Sequence, residues 1–258
     1  MSPLIFLLGC AHLSDSGPQR SVHSSPESAV IGWRLVPGQE LSYSHTVRLV
    51  RGTNEVSRTE HWSYLVREVD EEGSALLEGR LTGLGALIQN DGELARGEGF
   101  ETLMRNESDR ISDSKVWVTL SIDGRILAVD GLDWSEGLVH RALGLNFPAD
   151  PVGPGSVWPD PESIAPFRSL VPAEVAILPS VQAGVVTIYE DAGAVFADIE
   201  MRGSIVAGGD DVPKIEMQGE ATWDLVLGQL VTRSQRLSLS QYNEPFGGLL
   251  LIKTERLL

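Results

Sequence analysis

The side chains able to do chemistry are few and scattered. The chain has one cysteine, Cys10, and five histidines, His12, His23, His45, His61 and His140. A lone thiol cannot close an intramolecular disulfide, and thiolate metal sites need two or more cysteines at short spacing. No two histidines stand at the i, i+4 spacing of a helical metal pair. His45 and His61 fall on adjacent predicted strands and could face each other, a position that more commonly serves packing. There is no Gly-x-Ser-x-Gly elbow and no glycine-rich phosphate loop between a strand and a helix. The acidic groups Asp70-Glu71-Glu72, Asp91 with Glu93, and Asp210-Asp211 each stand beside a glycine. They read as solvated turns, because a calcium loop needs alternating oxygen ligands and then a distant glutamate. A pair of carboxylates could hydrolyse a glycosidic bond, but spacing singles out no pair among 36 acids. The expectation is a non-catalytic protein with no metal and no cofactor.

Six tryptophans, at positions 33, 62, 117, 134, 158 and 223, offer wall material for a ligand site. Trp62 and Trp223 are in phase with apolar neighbours and read as core. Trp117 is out of phase with Val116 and Val118, so it belongs to the other face of its strand. Trp134, beside a predicted helix, and Trp158, in a proline-rich stretch, are placed to border a cavity, since pockets combine aromatic walls with irregular backbone. With Leu138 on the apolar stripe of that helix, Trp134, Trp158 and Trp117 are the candidate pocket residues.

The elements that would position them are mainly strands. Leu41, Tyr43, His45, Val47 and Leu49 alternate, as do Trp62, Tyr64 and Val66, and the turn Asp70 to Gly73 follows. Val116, Val118, Leu120 and Ile122 run into Asp123-Gly124, which predicts a type I′ hairpin. Val186 and Ile188 turn at Asp191-Ala192-Gly193, and Trp223, Leu225 and Leu227 turn at Gly228-Gln229. The two hairpins around Gly124 and Gly228 share a faint similarity that any two amphipathic hairpins would share. About ten strands, several of ten residues, predict an all-β fold: long antiparallel strands in a curved sheet or half-barrel. One short helix near 134–144 caps it, with Leu138, Ala142 and Leu145 on one face, Asp133 or Ser135 at its start and Gly144 at its end. Pro148, Pro151, Pro154, Pro159 and Pro161 then forbid regular structure, which predicts a crossover at 147–161 between two sets of strands. Residues 31–258 therefore read as a single antiparallel β domain.

Cys10 ends an uncharged apolar opening, Pro3 to Gly9, and polar sequence follows at once. Leu7-Leu8-Gly9-Cys10 resembles the lipobox of bacterial lipoproteins, with Gly9 as the small residue before the cysteine and Leu7 as the usual apolar one. The resemblance covers the first ten residues, and no Lys or Arg precedes the apolar stretch. It implies a signal peptide over 1–9, lipidation of Cys10, and attachment to the cell envelope. Ala11 after the cysteine implies sorting to the outer membrane, on its periplasmic or surface side. Residues 10–30 are rich in Ser with Pro and have no apolar periodicity, the composition of a flexible tether. Through Phe147 to Trp158 and the Trp223-Asp224 strand, the body resembles uncharacterised bacterial envelope proteins built on one large antiparallel sheet; more loosely, a long curled sheet with a helix in its mouth is similar to half-barrel periplasmic lipoproteins and lipoprotein carriers. That implies a concave surface able to hold acyl chains.

With 36 acidic and 20 basic side chains the formal net charge is -16. Nucleic acid is set aside as a partner, because that affinity comes from clustered Lys and Arg. A 42% hydrophobic content is ordinary for a globular chain, and no apolar run reaches the 18 residues of a membrane span. Two functions fit: a lipid-anchored protein holding an apolar or lipid-like ligand in a concave sheet, or a structural subunit docking onto an envelope protein complex with no ligand cavity.

Overall fold

The computed structural model describes residues 26–91, 93–94, 115–131, 138–164, 177–207, 214–240 and 248–257, with isolated helical positions between 102 and 109. The strands are β1 (Glu40–Arg51), β2 (Asn54–Val69), β3 (Ala75–Asn90), β4 (Glu93–Leu94), β5 (Val116–Leu120) and β6 (Ile126–Asp130), then β7 (Val157–Pro159), β8 (Ile177–Asp191), β9 (Ala194–Ala207), β10 (Lys214–Asp224), β11 (Gln229–Ser240) and β12 (Gly248–Arg256). A helix α1 (Leu138–Arg141) and a 3-10 turn (Pro161–Ile164) lie between β6 and β8. The strands form one open, curved antiparallel sheet in the order β6-β5-β3-β2-β1-β12-β11-β10-β9-β8-β7, with β4 pairing β3. No helix among the described residues is long and apolar enough to cross a membrane.

The curvature has local causes. An extra residue on one strand of an antiparallel pair bends and twists it, and the register shifts at His61/Trp62, Val66/Glu68, Thr119/Leu120, Val185/Thr187 and Thr222/Trp223. The turns follow backbone chemistry, with one departure from expectation. Ala192 and Gly193 both have positive φ and make the two-residue type I′ loop between β8 and β9. At the β5–β6 hairpin only Gly124 is left-handed; the Gly124 amide donates to the Ser121 carbonyl, so Ile122 and Asp123 are the central residues. Asp123 thus does not need the positive φ of a type I′ turn, and the extra residue is absorbed by Gly124.

The topology explains the proline-rich segment. β6 and β7 are the two edges of the sheet, so the 26 residues from Gly131 to Ser156 must travel from one edge to the other. Ten strand spacings come to about 48 Å, and 26 extended residues reach about 85 Å. The slack is taken up by α1 and irregular chain packed on the concave face. There Leu138, Val139, Ala142, Leu143, Leu145 and Phe147 join the inward side chains of the strands in one core. Phe147 and Trp33 meet Trp223 edge-on, with ring centroids 4.7 and 4.9 Å away. Burying a Leu or Val contributes about 1.5–3 kcal/mol, against under about 1 kcal/mol for an exposed ion pair such as Arg202–Glu200. The concave face therefore fixes the fold.

Residues 31–34 sew the two halves together. The Trp33 amide donates to the Ile122 carbonyl at one hairpin tip, and the Arg34 amide donates to the Gly228 carbonyl at the other. Turn acids are satisfied locally: Asp70 Oδ1 accepts from the Glu72 and Ser74 amides, as the turn reading of that cluster expects.

Candidate functional site

The register divides the concave face into lateral rows, each row made of side chains facing one another across successive strands. One row is polar. Arg233 on β11 lies opposite Thr254 on β12, which lies opposite His45 on β1, which lies opposite Glu60 on β2. All four are at most 4% exposed.

Each polar group in this belt is held by named partners. His45 Nδ1 is 3.0 Å from Thr254 Oγ1 and its Nε2 is 3.2 Å from the Tyr64 hydroxyl. The same hydroxyl is 2.7 Å from His140 Nδ1 on α1. Burial pushes His45 down to about 3 and His140 well below the usual imidazole range, and it pushes the Tyr64 phenol up. Both imidazoles are thus neutral at physiological pH. Their relay contains no carboxylate, and among the described residues no cluster of three His, Cys, Asp or Glu could hold a metal. Arg233 donates from Nη1 to the Ala142 carbonyl at 2.9 Å and to the Gly144 carbonyl, and from Nη2 to Ser163 Oγ at 3.1 Å. Ser163 in turn donates to Asp160, whose other oxygen accepts the Asn146 amide at 3.1 Å. Burial lowers Arg233 to about 10 and raises Asp160, with the guanidinium opposing the second shift. Gln235 Nε2 donates to the Ser163 carbonyl at 2.9 Å. The belt clamps the crossover onto the sheet. It also leaves three buried atoms, His140 Nε2, Arg233 Nε and Gln235 Oε1, without a hydrogen-bond partner.

Four positions further along the strands, past the mixed row Gln235, Ile252, Val47 and Arg58, the row is apolar. Val181, Gly203, Met217, Leu237, Leu250, Leu49, Val56 and Ile88 follow one another across β8 to β3. Met217, Leu237 and Leu250 are buried, whereas Leu49 is 45% and Val56 is 48% exposed. The concave face therefore ends in an apolar ladder that emerges into solvent beyond the polar belt.

The residues singled out from sequence are spread over this geometry. Leu138 on the crossover helix and Trp158 on β7 are both buried in the core, and the Trp158 indole donates to the Asn146 carbonyl. Trp117 is half-buried on the opposite face of the sheet, paired with Glu78 and Asp130. Trp134 and Cys10 lie outside the described residues. His45 and His61 do not face each other: His61 pairs with Ser44, one position out of phase, and His45 meets His140 through Tyr64 instead. The relay and the Arg233 clamp were missed. His45 carried a signal, since it alternates with Leu41, Tyr43 and Val47, but nothing local links it to a residue on α1.

No family model matches the sequence, and no curated protein matches it either. Solved structures are similar at the level of the fold. A structure of lipid–protein interactions in lipovitellin aligns with a TM-score of 0.51 at 7% identity, covering 87% of this chain and 25% of lipovitellin. The chain thus spans about a quarter of that protein's length. A DUF1329 family protein from Desulfovibrio piger aligns at 9% identity over 84% of both chains, with a TM-score of 0.25. DynF from the dynemicin biosynthesis pathway of Micromonospora chersina aligns at 10% identity over 92% of this chain and 91% of its own, with a TM-score of 0.21. What the aligned part of lipovitellin shares with this chain is fold alone, and the architecture is that of a large open antiparallel sheet.

Proposed function

We propose that this protein is a non-catalytic, lipid-anchored component of a bacterial cell envelope that binds a lipid-like amphiphile at the open end of its concave face. The observation that carries the reading is the ladder Leu250, Leu49, Val56 and Ile88, whose middle members face solvent from the otherwise buried side of the sheet. Solvating adjacent apolar side chains is unfavourable by about 25 cal/mol per Å², and an acyl chain laid across the strands removes that cost. The fold shared with lipovitellin, whose structure concerns lipid–protein interactions, supports the reading at the level of architecture.

Native mass spectrometry with lipid extraction on the Cys10→Ala chain tests it. A co-purifying lipid mass that Leu49→Asp removes, with circular dichroism unchanged, is the expected result. A clean apo mass with no uptake on titration of oleate overturns it. The anchor has its own test: wild-type protein should fractionate with membranes and Cys10→Ala should not, whereas continued membrane association of the variant would count against lipidation.

A second reading, a docking subunit of an envelope complex, has one observation in its favour. Val116, Val118 and Leu120 are at most 1% exposed and pack in the core, so that part of the concave face is filled by the protein's own side chains.

A further inference from the structure

We propose that the outer face of the sheet carries a separate binding site for an extended anionic glycan with about one acidic group per disaccharide. A groove of 660 Å³ crosses this face, opposite the crossover, over strands β9, β10, β11, β12 and β1. The register lines its floor with Arg202, Gln218, Arg236, Leu251 and Arg48 in one lateral row. An arginine thus recurs on every second strand, and two strand spacings are about 10 Å. That is the spacing of acidic groups in a glycan charged once per disaccharide.

The adjoining row runs Glu200, Glu220, Ser234, Lys253 and Thr46. It offers acceptors and hydroxyls for sugar hydroxyl groups alongside the cations. Two charges in the groove are uncommitted: neither Arg236 nor Glu220 has an ion-pair partner among the described residues, although they lie on neighbouring strands. Glu220 also sits directly opposite Glu200, an unfavourable like-charge pair, which hydrogen-bond donors from a ligand would relieve. The other two arginines are held loosely. Arg48 pairs with Glu55 at 2.6 Å and Arg202 with Glu200 at 2.7 Å, with the arginine side chains 45% and 75% exposed. Such pairs contribute little, so a carboxylate or sulfate can compete for them.

Other polyanions fit less well. Nucleic acid carries a phosphate about every 3.4 Å per strand, far denser than this cation row, and no aromatic side chain lines the groove for base stacking.

The test is calorimetric titration of the full chain with a hyaluronan octasaccharide, which has one carboxylate per disaccharide, beside a neutral chitin oligomer and polyphosphate. Salt-sensitive binding to hyaluronan alone is expected, weakened roughly tenfold by Arg236→Gln and again by Arg48→Gln. Leu49→Asp should leave it unchanged, which separates this site from the lipid site. Failure to bind hyaluronan, equal affinity for the neutral oligomer, tighter binding of polyphosphate, or indifference to both arginine variants would each overturn the proposal.

Discussion

Tyr64 bridges two fully buried imidazoles, and their burial makes the belt sensitive to acid. In the folded chain His45 and His140 remain neutral below their ordinary value of 6.5, because burial disfavours their charged forms. The unfolded chain binds those protons. Stability is therefore full above about pH 6.5 and declines as pH falls toward about 3 for His45, with His140 adding a loss of the same sign. Urea unfolding at pH 7.5 and pH 5 should show this decline, and His140→Gln should make it shallower. Equal midpoints at the two pH values would contradict the neutral relay. Tyr64→Phe strands His45 Nε2 and His140 Nδ1 together, and should cost about 1–3 kcal/mol at neutral pH. The same denaturation curve measures it.

At the scale of elements, two hairpin turns that each end on a left-handed glycine behave differently. Gly124 has φ 91°, and a Cβ there would lie 1.8 Å from the Leu145 carbonyl oxygen. The hairpin tip is docked on the crossover, with the Leu145 and Phe147 amides donating to the Gly124 and Asp123 carbonyls. Gly193 has φ 82° and open space around it. Gly124→Ala should therefore lower stability by several kcal/mol, and Gly193→Ala by only about 1 kcal/mol; thermal melts of the two variants rank them. Strand identity was legible because one face of each strand is buried, so alternation in Leu41 to Val47 or Trp62 to Val66 survives in the sequence. The crossover was legible in part: prolines at 148, 151 and 154 keep it irregular, but edge strand β7 at Val157–Pro159 and the 3-10 turn from Pro161 fall inside the stretch 147–161 that the prolines were expected to keep free of regular structure. Turn type at Asp123-Gly124 was not legible, since a glycine can take the left-handed position of either turn. The polar clamp was invisible because Arg233 and Ala142, or Tyr64 and His140, are brought together only by the path of the crossover.

For the whole molecule, the order of strands places β1 and β12 at the centre and β6 and β7 at the edges. Edge strands of five and three residues leave little backbone for another chain to pair with. Hydrogen exchange should be slowest in β1, β12 and β11 and fastest in β6 and β7; the reverse order would contradict this topology. The single-sheet architecture was legible as a class, but the central pairing was not, because β1 and β12 stand about 200 residues apart in the chain. That pairing also sets a schedule for synthesis. The seam between the two halves is closed by β12, so until residues 248–256 emerge, β1 and β11 each present a long unpaired flank of backbone amides and carbonyls. A nascent chain of this protein would be most prone to mispair with its neighbours in the interval after β11 and before β12 is made, and a chaperone that shields strand flanks would matter most then.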